Sequence, residues 1–192
     1  MQAPSVSPRR CARCERAACL CALLPAVPLA HQVEVLVLQD PHERLAAKGT
    51  VPLLRLGLQA CQVQVGERFE SLAAGSTRTD LLLYPPTPGE PVHVLDPLPP
   101  PQHLRLIVLD GTWRKSRKLL HQNPWLSALP RLALDAARHA RYGAMRKAQA
   151  PGQLSTLEAT LQALEQLEGP RFAPLWQAFE AFLARQHGAL RD

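Results

Sequence analysis

Four cysteines, Cys11, Cys14, Cys19 and Cys21, fall within eleven residues, the densest cluster of metal-ligating side chains in the chain. The pairs Cys11-Ala-Arg-Cys14 and Cys19-Leu-Cys21 can each supply one edge of a tetrahedron around Zn2+, with Zn–S bonds of about 2.3 Å. In a reducing compartment such crowding argues for a metal ahead of disulfides. Four thiolates close every position and leave none for water, so the expected role is structural. An iron–sulfur cluster and unligated thiols are the other readings of the same residues. Cys61 follows the apolar pattern Leu53, Leu54, Leu56, Leu58 and reads as a small buried hydrophobe.

Asp110-Gly111-Thr112-Trp113 ends the apolar run RLIVL at 105–109 and opens into Arg114, Lys115, Arg117 and Lys118. A carboxylate at the carboxyl end of a strand in an open α/β sheet stands where ligands bind, and glycine beside it lets backbone come close. The plainer reading makes Asp110 or Thr112 a helix cap and Trp113 a core anchor. Ser155-Thr156-Leu157-Glu158 is a capping box before a leucine-faced helix. Free N–H groups at such a start could receive a ligand carboxylate, and Arg138, Arg141, Arg146 and Lys147 form a basic stretch around Tyr142 just before it.

The elements that must position these groups are legible as hydrophobic periodicity. Strand-like runs occupy 33–38, 80–84 and 105–109; another starts at Val63, and a short one covers 131–134. Helical patterns cover 50–60, 112–122, 155–167 and 172–187, the third with Leu157, Leu161 and Leu164 on one face. Strands alternating with helices predict an α/β fold with a mostly parallel sheet and flanking helices. Eight of the nineteen prolines fall in residues 85–101, so that stretch reads as a semi-rigid connector.

Composition narrows the function classes. The 192 residues are 46% apolar, which excludes a disordered chain, and no run approaches the ~20 apolar residues of a membrane span. Arg9 and Arg10 lead into cysteines and not into an apolar leader, so a cytoplasmic protein is expected. The formal charge is +6; residues 153–192 hold three Arg against five acids, a net of −2 that leaves +8 for residues 1–152. A basic body of this kind suits a polyanionic partner such as RNA.

The blocks, in their order, resemble the DTW-domain family. They are the N-terminal cysteine cluster of its bacterial members, DPHE at 40–43 with Thr50, LLYP at 82–85, VLDGTW at 108–113, YGAMRKA at 142–148 and LSTLEA at 154–159. A histidine would be expected where Asp40 precedes the proline, so that block is given little catalytic weight. The resemblance implies a tRNA-uridine aminocarboxypropyltransferase. Such an enzyme moves the 3-amino-3-carboxypropyl group of S-adenosylmethionine to N3 of a uridine, in the variable loop of tRNA, and releases methylthioadenosine. It also implies a SPOUT-like domain with a C-terminal trefoil knot over 31–192, after a zinc-binding segment over 1–30.

On that footing Asp110 is the expected general base, since uridine N3 must lose its hydrogen to attack. Leu83, Tyr84, Pro85, Leu109, Gly111, Thr112, Trp113, Ser155 and Thr156 are the expected cofactor contacts, and Arg114, Lys115, Arg141, Arg146 and Lys147 the expected tRNA contacts. Zn2+ is structural, no protein partner or membrane is called for, and a monomer is favoured. With nine aromatics in the chain, RNA recognition is expected to rest on backbone shape and one extruded uridine. The competing readings are a SPOUT-type RNA methyltransferase, a non-catalytic zinc-stabilised RNA-binding protein, and modification of ribosomal RNA.

Overall fold

Runs of Val, Leu and Ile too short for helices become the strands of one sheet. They are β1 (Glu34–Gln39), β2 (Cys61–Val65), β3 (Thr79–Leu83), β4 (Leu104–Asp110) and β5 (Arg131–Leu132). The computed structural model describes residues 10–71, 77–86, 93, 95–134 and 154–188. Spatial order is β2-β1-β4-β3-β5, and all four neighbouring pairs are parallel. All seven residues of β4 are buried, as a strand covered on both faces requires. Edge strand β2 instead leaves Gln62 and Gln64 exposed.

The helices are α1 (Val51–Gly57), α2 (Trp113–Gln122), α3 (Pro124–Ser127), α4 (Thr156–Glu168) and α5 (Ala173–Gly188). The single turn α3 has no counterpart in the sequence reading, because four residues carry no periodicity. Alternation along the strands divides the core in two. Val35, Val37, Leu106 and Val108 pack with Leu53 and Leu54 of α1, Leu157, Leu161 and Leu164 of α4, and Leu175, Phe179 and Phe182 of α5. Leu36, Leu38, Ile107 and Leu109 face the other way, against Leu119 of α2 and Leu126 of α3.

Cys14, Leu20 and Leu24 belong to the first of these cores, so the cysteine-bearing segment shares the sheet's packing in place of building its own. Its exit is tied to the end of α1: Leu29 N–H donates to Gly57 O at 2.8 Å, and Gln59 N–H to Leu29 O at 3.0 Å. The expected knot turns on the path between β5 and α4. Residues 135–153 of that path lie outside the described residues. Among the described residues no helix is long and apolar enough to cross a membrane.

Gly57 lets α1 and α5 touch, since a Cβ there would sit 2.5 Å from Leu175 Cδ1. Overpacking of this kind costs about 1–3 kcal/mol. Gly57→Ala should therefore lower the urea midpoint at unchanged slope, and an unshifted midpoint would contradict this packing.

Candidate active site and metal centre

The chain leaves β1 toward β2 on one side and leaves β4 toward β5 on the other, so the carboxyl ends of β1 and β4 meet at a switch point. Register sets Gln39 opposite Asp110 there. Gln39 Nε2 donates to Asp110 Oδ2 at 2.8 Å, and the Asp40 N–H donates to Asp110 O at 3.1 Å. Residues 104, 106 and 108 face the α4 layer, so Asp110 does too, and Thr156 Oγ1 donates to Asp110 Oδ1 at 2.5 Å. Asp110 is only 6% exposed. Burial raises its carboxyl above the ordinary aspartate value, against the opposing pull of the Thr156 and Gln39 donors.

Beside this carboxylate lies a cavity of about 560 Å3. Leu83, Tyr84 and Pro85 form one wall, Leu109, Gly111, Thr112 and Trp113 another, and Ser155 and Thr156 its polar end. All nine expected cofactor contacts thus come together in one place. Asp110 itself stands one step behind, with Thr156 between it and the space. A Cβ at Gly111 would come within 3.0 Å of Lys115 Cβ, so the close approach at that turn depends on glycine. Thr112 is the N-cap of α2, accepting from Lys115 N–H at 3.4 Å.

Trp113 is not the core anchor that the plainer reading made it. It is 51% exposed, with its ring edge-on to Tyr84 at 5.8 Å and 74°. Standing first in α2, beyond the strand end, it projects past the sheet and lines the cavity, as Tyr84 does. The Arg131 guanidinium lies 5.2 Å from the Tyr84 ring centre.

The start of α4 is more occupied than expected. Leu157 N–H donates to Thr50 Oγ1 at 3.2 Å, and Glu158 N–H to Ser155 Oγ at 3.3 Å. Ser155 in turn donates its N–H and hydroxyl to Glu158 Oε2, at 2.8 and 2.6 Å. The two hydroxyls therefore face the cavity with their hydrogens committed to Glu158 and Asp110. Each oxygen keeps a lone pair to accept with, although Ser155 Oγ already takes the Glu158 N–H. An ammonium group fits this end better than a carboxylate does.

The DPHE block, given little weight from sequence, backs directly onto Asp110. Asp40 is 2% exposed; its Oδ1 accepts from the His42 N–H at 2.9 Å and lies 3.0 Å from His42 Nδ1. Burial pulls the Asp40 carboxyl up, but those contacts and Lys115 outweigh it and hold it below the ordinary value. Lys115 Nζ lies 2.6 Å from Glu43 Oε1 and 3.6 Å from Asp40 Oδ1, so its charge is spent within the protein. Arg114 is exposed on α2, while Arg141, Arg146 and Lys147 lie outside the described residues. Sequence reasoning missed Gln39, whose signal was an amide closing the apolar run 35–38, and gave Thr50 no role.

The four expected metal ligands converge. Their sulfurs all lie within 4.8 Å of one another, with Cys11–Cys21 at 3.8 Å and Cys14–Cys19 at 3.9 Å. A tetrahedron with 2.3 Å bonds has edges of about 3.8 Å, so the set fits one tetrahedral ion such as Zn2+. Arg16, between the pairs, donates to Ala46 O and, at 3.0 Å, to Gly49 O. Cys61 lies apart in β2, partly buried, and burial pushes its thiol up to about 12.

The profile of the DTW domain matches residues 8–187. The chain belongs to the DTW domain family. Among the relatives of this DTW-domain chain is the tRNA-uridine aminocarboxypropyltransferase 2 of Drosophila melanogaster, 32% identical over 83% of the chain and 66% of that protein. The protein of the same name in Macaca fascicularis is 31% identical over 82% and 56%. The tRNA-uridine aminocarboxypropyltransferase A of Arabidopsis thaliana is 30% identical over 57% and 49%. The chain thus spans about two thirds or less of the length of these relatives. No solved structure matches it.

The purified DTW-domain chain should carry one zinc per molecule, and its cobalt form should show the spectrum of tetrahedral thiolate ligation. Cys14→Ser should lose metal and stability together, because Cys14 is wholly buried in the core. Full stability without any bound metal would contradict a structural metal centre.

Proposed function

We propose that this chain transfers the 3-amino-3-carboxypropyl group of S-adenosylmethionine to N3 of a uridine in tRNA, releasing methylthioadenosine. One observation carries the reading: the cavity walled by the LLYP, DGTW and STLE blocks has a buried, proton-accepting carboxylate one hydroxyl behind its polar end. The names of the relatives support the group transferred and the RNA that receives it. The volume suits a ligand of nucleoside size, since small-molecule sites run about 300–1,000 Å3.

S-Adenosylmethionine occupies the cavity in this reading. Its adenosine lies along the backbone of 83–85 and 109–113, and its ammonium meets Ser155 and Thr156, behind which stand the carboxylates of Glu158 and Asp110. The exposed ring of Trp113 offers a face to adenine or to the incoming uracil. The sulfonium already makes a good leaving group, so the protein has to align donor and nucleophile and to remove one proton.

Asp110 removes it through Thr156. As the N3–H bond of uridine breaks, Thr156 Oγ takes that hydrogen and passes its own to Asp110 Oδ1. N3 then bonds to the carbon beside sulfur, and the C–S pair returns to sulfur. A carboxyl raised by burial is a stronger base than an exposed aspartate, which is what this step needs. Zinc stays in the N-terminal segment as a structural ion, and the SPOUT-like knot belongs to the same proposal on the strength of the family resemblance.

Incubation with unmodified tRNA and donor labelled in the methionine backbone should put label on RNA, while methyl-labelled donor should not. The reverse would make the protein a methyltransferase. Asp110→Asn should keep donor affinity and lose about 10²–10⁴ in turnover, the usual share of general base catalysis. Thr156→Val should lose turnover to a similar extent and also weaken donor binding, because its hydroxyl meets the ammonium, and Thr156→Ser should recover both. Turnover of Asp110→Asn within tenfold of wild type would remove it as the base.

A further inference from the structure

A second cleft, of about 230 Å3, opens on the other side of Gln39. Its floor is apolar, formed by Val51 and Pro52 of α1 and by Val63 and Val65 of edge strand β2. Val65 is 43% exposed, an unusual position for a valine beside a core. Arg44 and Arg55 stand at the rim. Two guanidinium groups, those of Arg44 and Arg55, share the one carboxylate of Glu15, and that of Arg10 binds its backbone. Arg44 pairs with it at 3.1 Å and Arg55 at 3.9 Å, Arg10 donates to its carbonyl at 3.2 Å, and Arg55 also donates to the Arg13 carbonyl at 2.9 Å.

Charge and shape together select an occupant. The rim carries positive charge in excess, and its ion pairs with Glu15 are solvent-exposed, so they contribute little and exchange readily. A phosphate takes bidentate, charge-assisted bonds from arginine, whereas Glu15 takes a single bond from Arg44 and stands 3.9 Å from Arg55. The valine and proline floor suits the face of a base. Gln39 lines this cleft and also donates to Asp110, so a nucleotide lodged here lies one side chain from the proposed base.

We propose that this cleft is an RNA subsite, which holds a nucleotide flanking the target uridine, with its base on Val63 and Val65 and its phosphate on Arg44 and Arg55. The inference rests on the reading of the substrate as tRNA, and it routes the strand between the cysteine-bearing segment and the sheet edge toward the 560 Å3 cavity.

The test uses the full zinc-loaded chain and unmodified tRNA, with binding followed by filter retention across a salt series in the absence of donor. The double variant Arg44→Gln with Arg55→Gln should bind tRNA at least tenfold more weakly. Its salt slope should fall by about 1 to 2, because each phosphate contact releases roughly 0.9 counterions. Zinc content and affinity for S-adenosylmethionine should stay as in wild type. Val65→Glu, at an exposed position, should weaken tRNA binding in the same direction. If both variants keep zinc and bind tRNA within twofold of wild type at an unchanged slope, the subsite is wrong while the substrate reading stands. If wild type itself fails to bind tRNA at low salt, both are overturned.

Discussion

The site depends on one buried carboxylate and the two groups that donate to it. Asp110 ends the central strand, Gln39 ends its neighbour, and Thr156 begins the helix that covers both, so three elements far apart in sequence converge on a single side chain. A carboxylate taken out of water needs such donors, and hydrogen bonds to charged groups contribute about 1.5–3 kcal/mol each. The Thr156 bond ties the start of α4 to the sheet, and the Gln39 bond holds the carboxylate that receives it. They therefore set the polar end of the cavity.

The N-terminal segment reaches this point through a chain of contacts. Arg16, set among the cysteines, is buried and holds the carbonyls of Ala46 and Gly49. The next residue, Thr50, begins α1 and accepts from the Leu157 N–H at the start of α4. A metal at the four cysteines would thus fix more than its own loop, because the loop it fixes supports the cap of the helix that carries Thr156. Asp40 and Lys115 brace the opposite side, which explains why a cationic residue beside the DGTW turn faces inward.

Much of this was legible in the sequence for a simple reason. The buried parallel strands have to be nearly continuous apolar runs, and α4 announces itself by its leucine spacing and capping box, so among the described residues all five strands and four of the five helices follow from local pattern. The resemblance to the DTW-domain family then grouped nine residues that the fold brings around one cavity. What escaped depended on contacts between distant segments. Gln39 looks like any polar strand end until β1 lies beside β4, and Thr50 looks like an ordinary helix start until α4 arrives. Trp113 was misjudged as a possible core residue because composition rules average over position, and its place beyond the strand end overrides its size.

The sharpest test is a titration of the Asp110 carboxyl itself, followed by carbon NMR in the aspartate-labelled protein and assigned by its loss in Asp110→Asn. Burial should place its midpoint above the value of about 3.9 for a free aspartate. Thr156→Val should move it higher still, since the ionised form loses a donor. A midpoint at or below the free value, indifferent to Thr156, would contradict the account.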